Sequence, residues 1–266
     1  MKCSDKTVLV TGAGSGMGRE LVLDLLRRHA RVAAVDRDEA ALAETRRLSG
    51  APESALATFT LSVTDRAAIE SLPAAVRETL GPADAIINCA GIIQPFVRLA
   101  DLDFTTIDRV FDVNFRGTLH VTKAFLPGLL TRPSAHVVNI SSMGGFIPFP
   151  GQTAYGASKA AVKLLTEGLH AELADTSVRV TIVFPGAIAT NIAQNSGVTI
   201  KATADSSALR PMPADRAARI ILDGMERDAY RVLVGNDARL LDALYRLHPA
   251  RATAFIARQM KDLLAH

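Results

Sequence analysis

Seven short apolar runs, separated by longer stretches of helical periodicity, most constrain what this chain can fold into. TVLVT (7–11), RVAAVD (31–36), LATFTL (56–61), DAIINCA (84–90), AHVVNIS (135–141), VRVTIVF (178–184) and RVLVG (231–235) read as strands. Most are apolar on both faces, as strands are when helices cover each side of a sheet. Helical patterns fill the gaps near 16–29, 38–49, 65–79, 103–130, 154–174 and 214–228. Strand, helix, strand, repeated, requires right-handed crossovers and a parallel sheet. The expectation is an α/β fold: a doubly wound, seven-stranded parallel sheet with helices on both faces.

Neither a linker nor an internal repeat divides the chain, so residues 1–266 are expected to form one domain. Hydrophobic residues at 48% supply a sizeable core, and 21% charged residues without low-complexity tracts argue against disorder. The net charge of +3 is small and dispersed, so no nucleic-acid partner is expected. Cys3 and Cys89 lie far apart in unlike contexts, which suits a reducing compartment rather than a disulfide framework. Neither they nor His29, His120, His136, His170, His248 and His266 have metal-site spacing, so no metal is expected. The N-terminal MKCSDKTVLV holds only three consecutive apolar residues, too few for a signal peptide, and no stretch approaches a membrane span. A cytoplasmic location follows as an expectation.

TGAGSGMGRE (11–20) follows the first strand and opens the first helix. Its glycines fit G-x-x-x-G-x-G through Gly12, Gly16 and Gly18, not G-x-G-x-x-G. Glycines at such a junction let the backbone turn tightly and approach a pyrophosphate, with helix N–H groups aimed at the anion. Asp36 ends the second strand, eighteen residues beyond Gly18. A carboxylate there bonds both ribose hydroxyls and repels a 2′-phosphate, favouring NAD over NADP; the bland alternative is a helix cap. Arg37 beside it is able to pair with a phosphate. Farther on, AYGASKAA (154–161) places Tyr155 and Lys159 one helical turn apart. An ammonium beside the phenol would favour the phenolate, although a solvated surface pair has the same spacing.

Together these segments resemble the short-chain dehydrogenase/reductase family, in its single-domain branch, over residues 5 to about 235. TGAGSGMG matches the cofactor loop, NCAG (88–91) the segment after the fourth strand, and VNFRG (113–117) the source of Asn114. NISSMGG (139–145), YGASK (155–159) and PGAIAT (185–190) match the serine, Tyr-x-x-x-Lys and nicotinamide-side segments. The resemblance implies a Rossmann-like fold and a catalytic set of Asn114, Ser142, Tyr155 and Lys159. Ser142 is preferred to Ser141 because the family's serine lies thirteen residues before the tyrosine, and strand neighbours face opposite ways. The implied cofactor residues are Gly12, Ser15, Gly16, Met17 and Gly18; Asp36 and Arg37; Ser62 and Val63; Asn88, Ala90 and Gly91; Tyr155 and Lys159; and Pro185, Gly186, Ile188 and Thr190. Family members with this loop usually carry aspartate where this chain has Ser62, a weaker acceptor for the adenine amino group.

The implied reaction is hydride transfer between a nicotinamide and a secondary alcohol or ketone. Tyr155 exchanges the proton, Lys159 lowers its pKa and holds the ribose, Ser142 polarises the substrate oxygen, and Asn114 holds a water. Apolar MGGFIPFP (143–150), IIQPF (92–96) and AIATNI (187–192) suggest a lipophilic substrate, if they line one cavity rather than pack as ordinary core. Met143, Phe149, Gln94 and Gln152 are the candidate contacts beside Ser142 and Tyr155. Residues 186–213 are expected to be a substrate lid or loop, and 236–266 an amphipathic helical extension packed on the body or a second subunit. Attachment of that helix to a membrane surface is the alternative. The family implies a homodimer or homotetramer, pairing through 103–130 and 154–174. Nucleotide-sugar epimerases would need glycine in place of Ser15, and an NAD-binding redox sensor or scaffold without turnover is the non-enzymatic reading.

Overall fold

The structure, a computed structural model, describes residues 1–198 and 211–259. Its main sheet is parallel and seven-stranded: β1 (Thr7–Thr11), β2 (Arg31–Asp36), β3 (Leu56–Thr60), β4 (Ala85–Asn88), β5 (Ala135–Ile140), β6 (Val178–Pro185) and β9 (Arg231–Val234). The spatial order is β3-β2-β1-β4-β5-β6-β9. The winding therefore reverses between β1 and β4, where Val8 pairs with Ala85 and Val10 with Ile87. In open parallel sheets this reversal leaves a crevice at the carboxyl ends of the strands.

Helices α1 (Gly16–Arg27), α2 (Glu39–Ser49), α3 (Arg66–Leu80), α4 (Phe104–Phe111), α5 (Gly117–Leu130), α6 (Thr153–Glu172) and α8 (Ala214–Glu226) make the crossovers. One core cluster packs Leu21, Leu25, Ile221 and Leu222 of α1 and α8 against Val8, Val10 and Ile87. On the opposite face, Ile69, Val76, Val121 and Phe125 of α3 and α5 meet Leu9, Ile86 and Val137. Adjacent strand residues thus feed opposite layers, which is why the runs are apolar throughout. Burial of each such side chain stabilises the fold by about 1.5–3 kcal/mol.

All seven strands stand where the apolar runs put them, and three other expectations need correction. The stretch 103–130 is not one continuous α-helix: a π-helical turn, Asp112–Arg116, joins α4 to α5 and carries Asn114. Such bulges displace one residue of the helix and concentrate at functional sites. The loop 186–213 contains regular structure among its described residues. β7 (Ile188–Ala189) pairs with β8 (Met212–Pro213), and α7 (Ile192–Ser196) lies between them; the rest of the expected lid, 199–210, lies outside the described residues. The C-terminal extension is two helices, α9 (Asn236–Leu247) and α10 (Pro249–Gln259), not one. Pro249 forces His248 out of the helical region, to φ −144° and ψ 74°, and starts the next helix at its first position.

Candidate active site

The carboxyl ends of β1 to β4 and the segment after β6 enclose one cleft at the point where the winding reverses. Its floor is the glycine loop. Gly12 has φ +70°, and a Cβ there would lie 2.9 Å from the Ala90 Cα. A Cβ on Gly18 would lie 2.0 Å from the Gly12 carbonyl oxygen, so no side chain fits at the first turn of α1. Thr11, which the sequence reading passed over, locks the loop to its neighbour: its Oγ1 accepts from the N–H groups of Cys89 and Ala90, both at 3.1 Å.

Asp36 stands at the end of β2 with Oδ2 accepting from Gly14 N at 2.8 Å and Oδ1 from Asp38 N at 3.1 Å. It does not cap α2, a task that falls to Asp38 through the Ala41 N–H. Gly14 was also missed, yet a Cβ on it would lie 2.9 Å from Asp36 Oδ2.

Of the residues expected here, Gly12, Ser15, Gly16, Met17, Gly18, Asp36, Arg37, Ser62, Val63, Ala90, Gly91 and Thr190 line the cleft. Val35, Leu61, Cys89, Ile92, Val113, Asn191, Ile192 and Asn195 line it too. Asn195 bridges its mouth, donating to Ser15 Oγ at 2.7 Å while its carbonyl accepts from Arg37 at 3.2 Å. Ile92, Asn191 and Ile192 fall in the apolar stretches named as cavity candidates, and most of the others are chain neighbours of motif residues.

Asn88, Pro185, Gly186, Ile188, Tyr155 and Lys159 are not on that wall. Asn88 is buried and ties β4 to β5, donating to Asn139 Oδ1 at 2.8 Å and to Thr122 at 3.1 Å. Ile188 belongs to β7, and Pro185 pairs with Val234 at the sheet edge.

Beside the cleft, Ser142, Tyr155 and Phe149 converge on Gly144. A Cβ there would be 3.4 Å from Ser142 Oγ, 3.4 Å from Tyr155 Cε1 and 3.5 Å from Phe149 Cδ2. Met143 follows Ser142 in a single 3₁₀ turn, with Ser142 Oγ accepting from Gly144 N at 3.0 Å. Ser141 faces the other way, buried, and donates to the Lys159 carbonyl at 2.8 Å. Both serines lie just past the end of β5, and their hydroxyls have different partners.

Lys159 reaches the cleft from behind. Its Nζ and Asn114 Oδ1 would lie 3.2 and 3.3 Å from a Cβ on Gly91. The Asn114 amide is fully engaged: Oδ1 accepts from Ile92 N at 2.8 Å, and Nδ2 donates to Ile92 O and Ser158 Oγ, each at 3.0 Å. Ser158 in turn donates to the Tyr155 carbonyl at 2.7 Å. A polar circuit therefore runs from the segment after β4, through Asn114, to the first turn of α6.

Two expectations change. Gln94 is fully buried and has no polar atom left for a substrate: Oε1 accepts from Tyr155 N at 3.0 Å and Nε2 donates to Gly151 O at 2.9 Å. It caps α6 from a distant segment, a role that local sequence cannot reveal. Gln152, also buried, donates to the Gln94 carbonyl at 2.8 Å, while its Oε1 has no protein partner. Second, Lys159 does not bring the Tyr155 phenol down. Burial pushes that phenol above its usual range, with the Ser142 hydroxyl opposing. The ammonium donates instead to the Ile140 carbonyl at 3.0 Å.

Among the described residues, no three His, Cys, Asp or Glu side chains converge as a metal site. No described helix is long and apolar enough to cross a membrane.

The short chain dehydrogenase family model matches residues 6–200. A putative oxidoreductase, SadH, of Mycobacterium tuberculosis is 37% identical over 250 residues, covering 91% of this chain and 90% of that one. An uncharacterized oxidoreductase of Staphylococcus saprophyticus is 36% identical over 191 residues, covering 71% and 81%. Among solved structures, a short-chain dehydrogenase from Burkholderia cenocepacia in complex with NADP superposes with a TM-score of 0.82 at 25% identity, covering 96% and 99%. One from Burkholderia phymatum in complex with NAD gives 0.81 at 24%, covering 93% and 96%, a likeness of fold. The glycine-floored cleft and these matches agree: the chain belongs to the short-chain dehydrogenase/reductase family of oxidoreductases.

Proposed function

We propose that the protein exchanges a hydride between a nicotinamide dinucleotide, NAD in preference to NADP, and a lipophilic secondary alcohol or ketone. The observation that carries this reading is the meeting of Ser142 and Tyr155 at Gly144, with the Lys159 Nζ and Asn114 Oδ1 close to Gly91 on the cleft wall.

The cleft suits a dinucleotide. Gly12 and Gly18 let the loop pack against its own backbone and against Ala90 at the N-terminus of α1, where backbone N–H groups favour a pyrophosphate. Asp36 would take the adenosine ribose, Ser62 and Val63 the adenine edge, Ala90, Gly91 and Lys159 the second ribose, and Thr190 the nicotinamide side. When bound, the dinucleotide supplies the hydride donor or acceptor. The chain supplies the rest. Ser142 Oγ orients and polarises the substrate oxygen, and Tyr155 Oη gives the proton in reduction or takes it in oxidation. Lys159, buried and cationic, makes the site positive where an alkoxide would develop. Asn114 acts through its side-chain amide, holding the segment at Ile92 and the first turn of α6 in register.

Met143 and Phe149 beside Ser142 and Ile92 and Ile192 on the cleft wall support an apolar substrate. Exposed Phe104 and Leu164, on the paired helices α4 and α6, support a homodimer or homotetramer through that face.

Absorbance at 340 nm, with NAD and NADP separately against secondary alcohols graded in size and polarity, tests the reading. Reduction of NAD by apolar members is expected. Binding of NAD without turnover of any alcohol or ketone would favour the sensor alternative, and preference for charged or sugar substrates would end the lipophilic assignment.

A further inference from the structure

The C-terminal helices lie beyond residue 200, where the family match ends, and nothing above gives them a task. Their placement does. Asp237, in the first turn of α9, points its carboxylate back across the sheet edge, and Oδ2 accepts from the Ala187 N–H at 2.8 Å. The same carboxylate fills the space beside two glycines. A Cβ on Gly186 would lie 2.3 Å from both of its oxygens, and one on Gly235 would lie 2.2 Å from Oδ1. Glycine at both positions is what lets the carboxylate reach Ala187.

Ala187 sits at the base of the segment that runs from β6 along the cleft. Gly186 N donates to Val234 O at 2.8 Å, and the Ala187 carbonyl accepts from Met212 N at 2.9 Å. At the far end of the segment, the Thr190 side chain touches the glycine loop, 3.1 Å from a Cβ on Gly16. Only three residues separate Ala187 from Thr190 on the cleft wall.

The rest of α9 holds Asp237 in place. Ala238, Asp242 and Tyr245 share one face of the helix. Ala238 is buried, and Asp242 accepts from Arg231 and from Arg246. The Arg231 guanidinium lies 4.4 Å from the ring centre of Phe184, next but one before Gly186, and Tyr245 stands 6.4 Å from Phe146 in the segment after Ser142. One helix thus touches both segments that flank the reacting centre.

We propose that Asp237 is a positioning residue: from the C-terminal extension it fixes residues 186–190 and thereby the nicotinamide end of the dinucleotide cleft. The inference rests on the function proposed above. It predicts that dinucleotide affinity depends on a carboxamide or carboxylate acceptor at position 237, although that side chain touches no part of the cleft.

The test is NAD binding by the full-length protein, followed by calorimetry, for the wild type, Asp237→Ala and Asp237→Asn, with thermal melts of each. Loss of the acceptor should weaken binding about five- to tenfold in Asp237→Ala. Asp237→Asn, which keeps an acceptor for Ala187 N, should bind within about twofold of the wild type. Equal binding by the wild type and Asp237→Ala would overturn the proposal. So would equal weakening in both variants, since a lost fold or lost charge would then explain it. A wild type that binds neither NAD nor NADP is a different result and overturns the function reading itself.

Discussion

The Lys159 ammonium donates to the carbonyl of Ile140, the last residue of β5, at 3.0 Å. This places a cation inside the protein, 4% exposed, where burial lowers its pKa to about 8. The folded state therefore holds this proton less tightly than the unfolded chain, whose lysine stays near 10.5. Below about pH 8 both states are protonated and the fold bears the whole cost of the buried charge; between 8 and 10.5 stability rises with pH as that cost is relieved. Lys159→Met should accordingly be more stable than the wild type at pH 6–7, by about 1–3 kcal/mol, while losing turnover. Urea melts at pH 6, 8 and 10 check this, and the advantage should vanish at the highest pH.

His136 predicts the opposite limb. It is fully buried near the start of β5, at the amino end of the sheet away from the cleft, with Nε2 2.8 Å from Thr181 Oγ1 and Nδ1 3.5 Å from the Asp228 carboxylate. Burial lowers its pKa to about 4, against an ordinary 6.5. Between those values the unfolded chain binds a proton that the folded one refuses, so stability is full above pH 6.5 and falls as pH drops toward 4. His136→Gln should flatten that acid limb by up to about 3 kcal/mol and leave turnover at pH 7.5 unchanged.

Gln94 acts on Tyr155 through the backbone. Replacing it with methionine keeps the volume and deletes the acceptor for the Tyr155 N–H, leaving that partly buried donor unpaired. Stability should fall by about 1–3 kcal/mol. The turnover number should fall about tenfold to a hundredfold through misplacement of the phenol, with NAD affinity within about twofold of the wild type. A parallel loss of both would point to general loosening instead.

Asp36 should govern the choice of dinucleotide. Asp36→Ser removes the charge opposed to a 2′-phosphate, retains an acceptor for Gly14 N, and leaves Arg37 at the cleft mouth. The ratio of kcat/KM for NADP to that for NAD should rise at least about tenfold. An unchanged ratio would assign the selection elsewhere in the cleft.

The strands were legible because each is a short apolar run bounded by turn residues, and the central ones are buried on both faces. The cleft was legible because the glycine loop and Asp36 at the end of a strand are local patterns. What stayed hidden depends on contacts distant in sequence. Gln94 and Tyr155 are 61 positions apart, and an amide that caps a remote helix looks like any loop glutamine. The π turn at Asn114 is a change in backbone hydrogen bonding inside a stretch whose composition reads as continuous helix. The direction of Lys159 was misread for a related reason: i,i+4 spacing puts two side chains on one face, and only the β5 carbonyl decides where the ammonium goes. The break at His248 was readable from Pro249, but amphipathic periodicity on either side concealed it.

The central claim is that Tyr155 carries the proton while the cleft binds the dinucleotide independently. Tyr155→Phe, measured with the best alcohol from the 340 nm panel and with NAD titrated calorimetrically, tests it most directly. A turnover number lowered by about 10²–10⁴-fold with NAD affinity nearly unchanged is expected. Turnover at the wild-type level in that variant would contradict it.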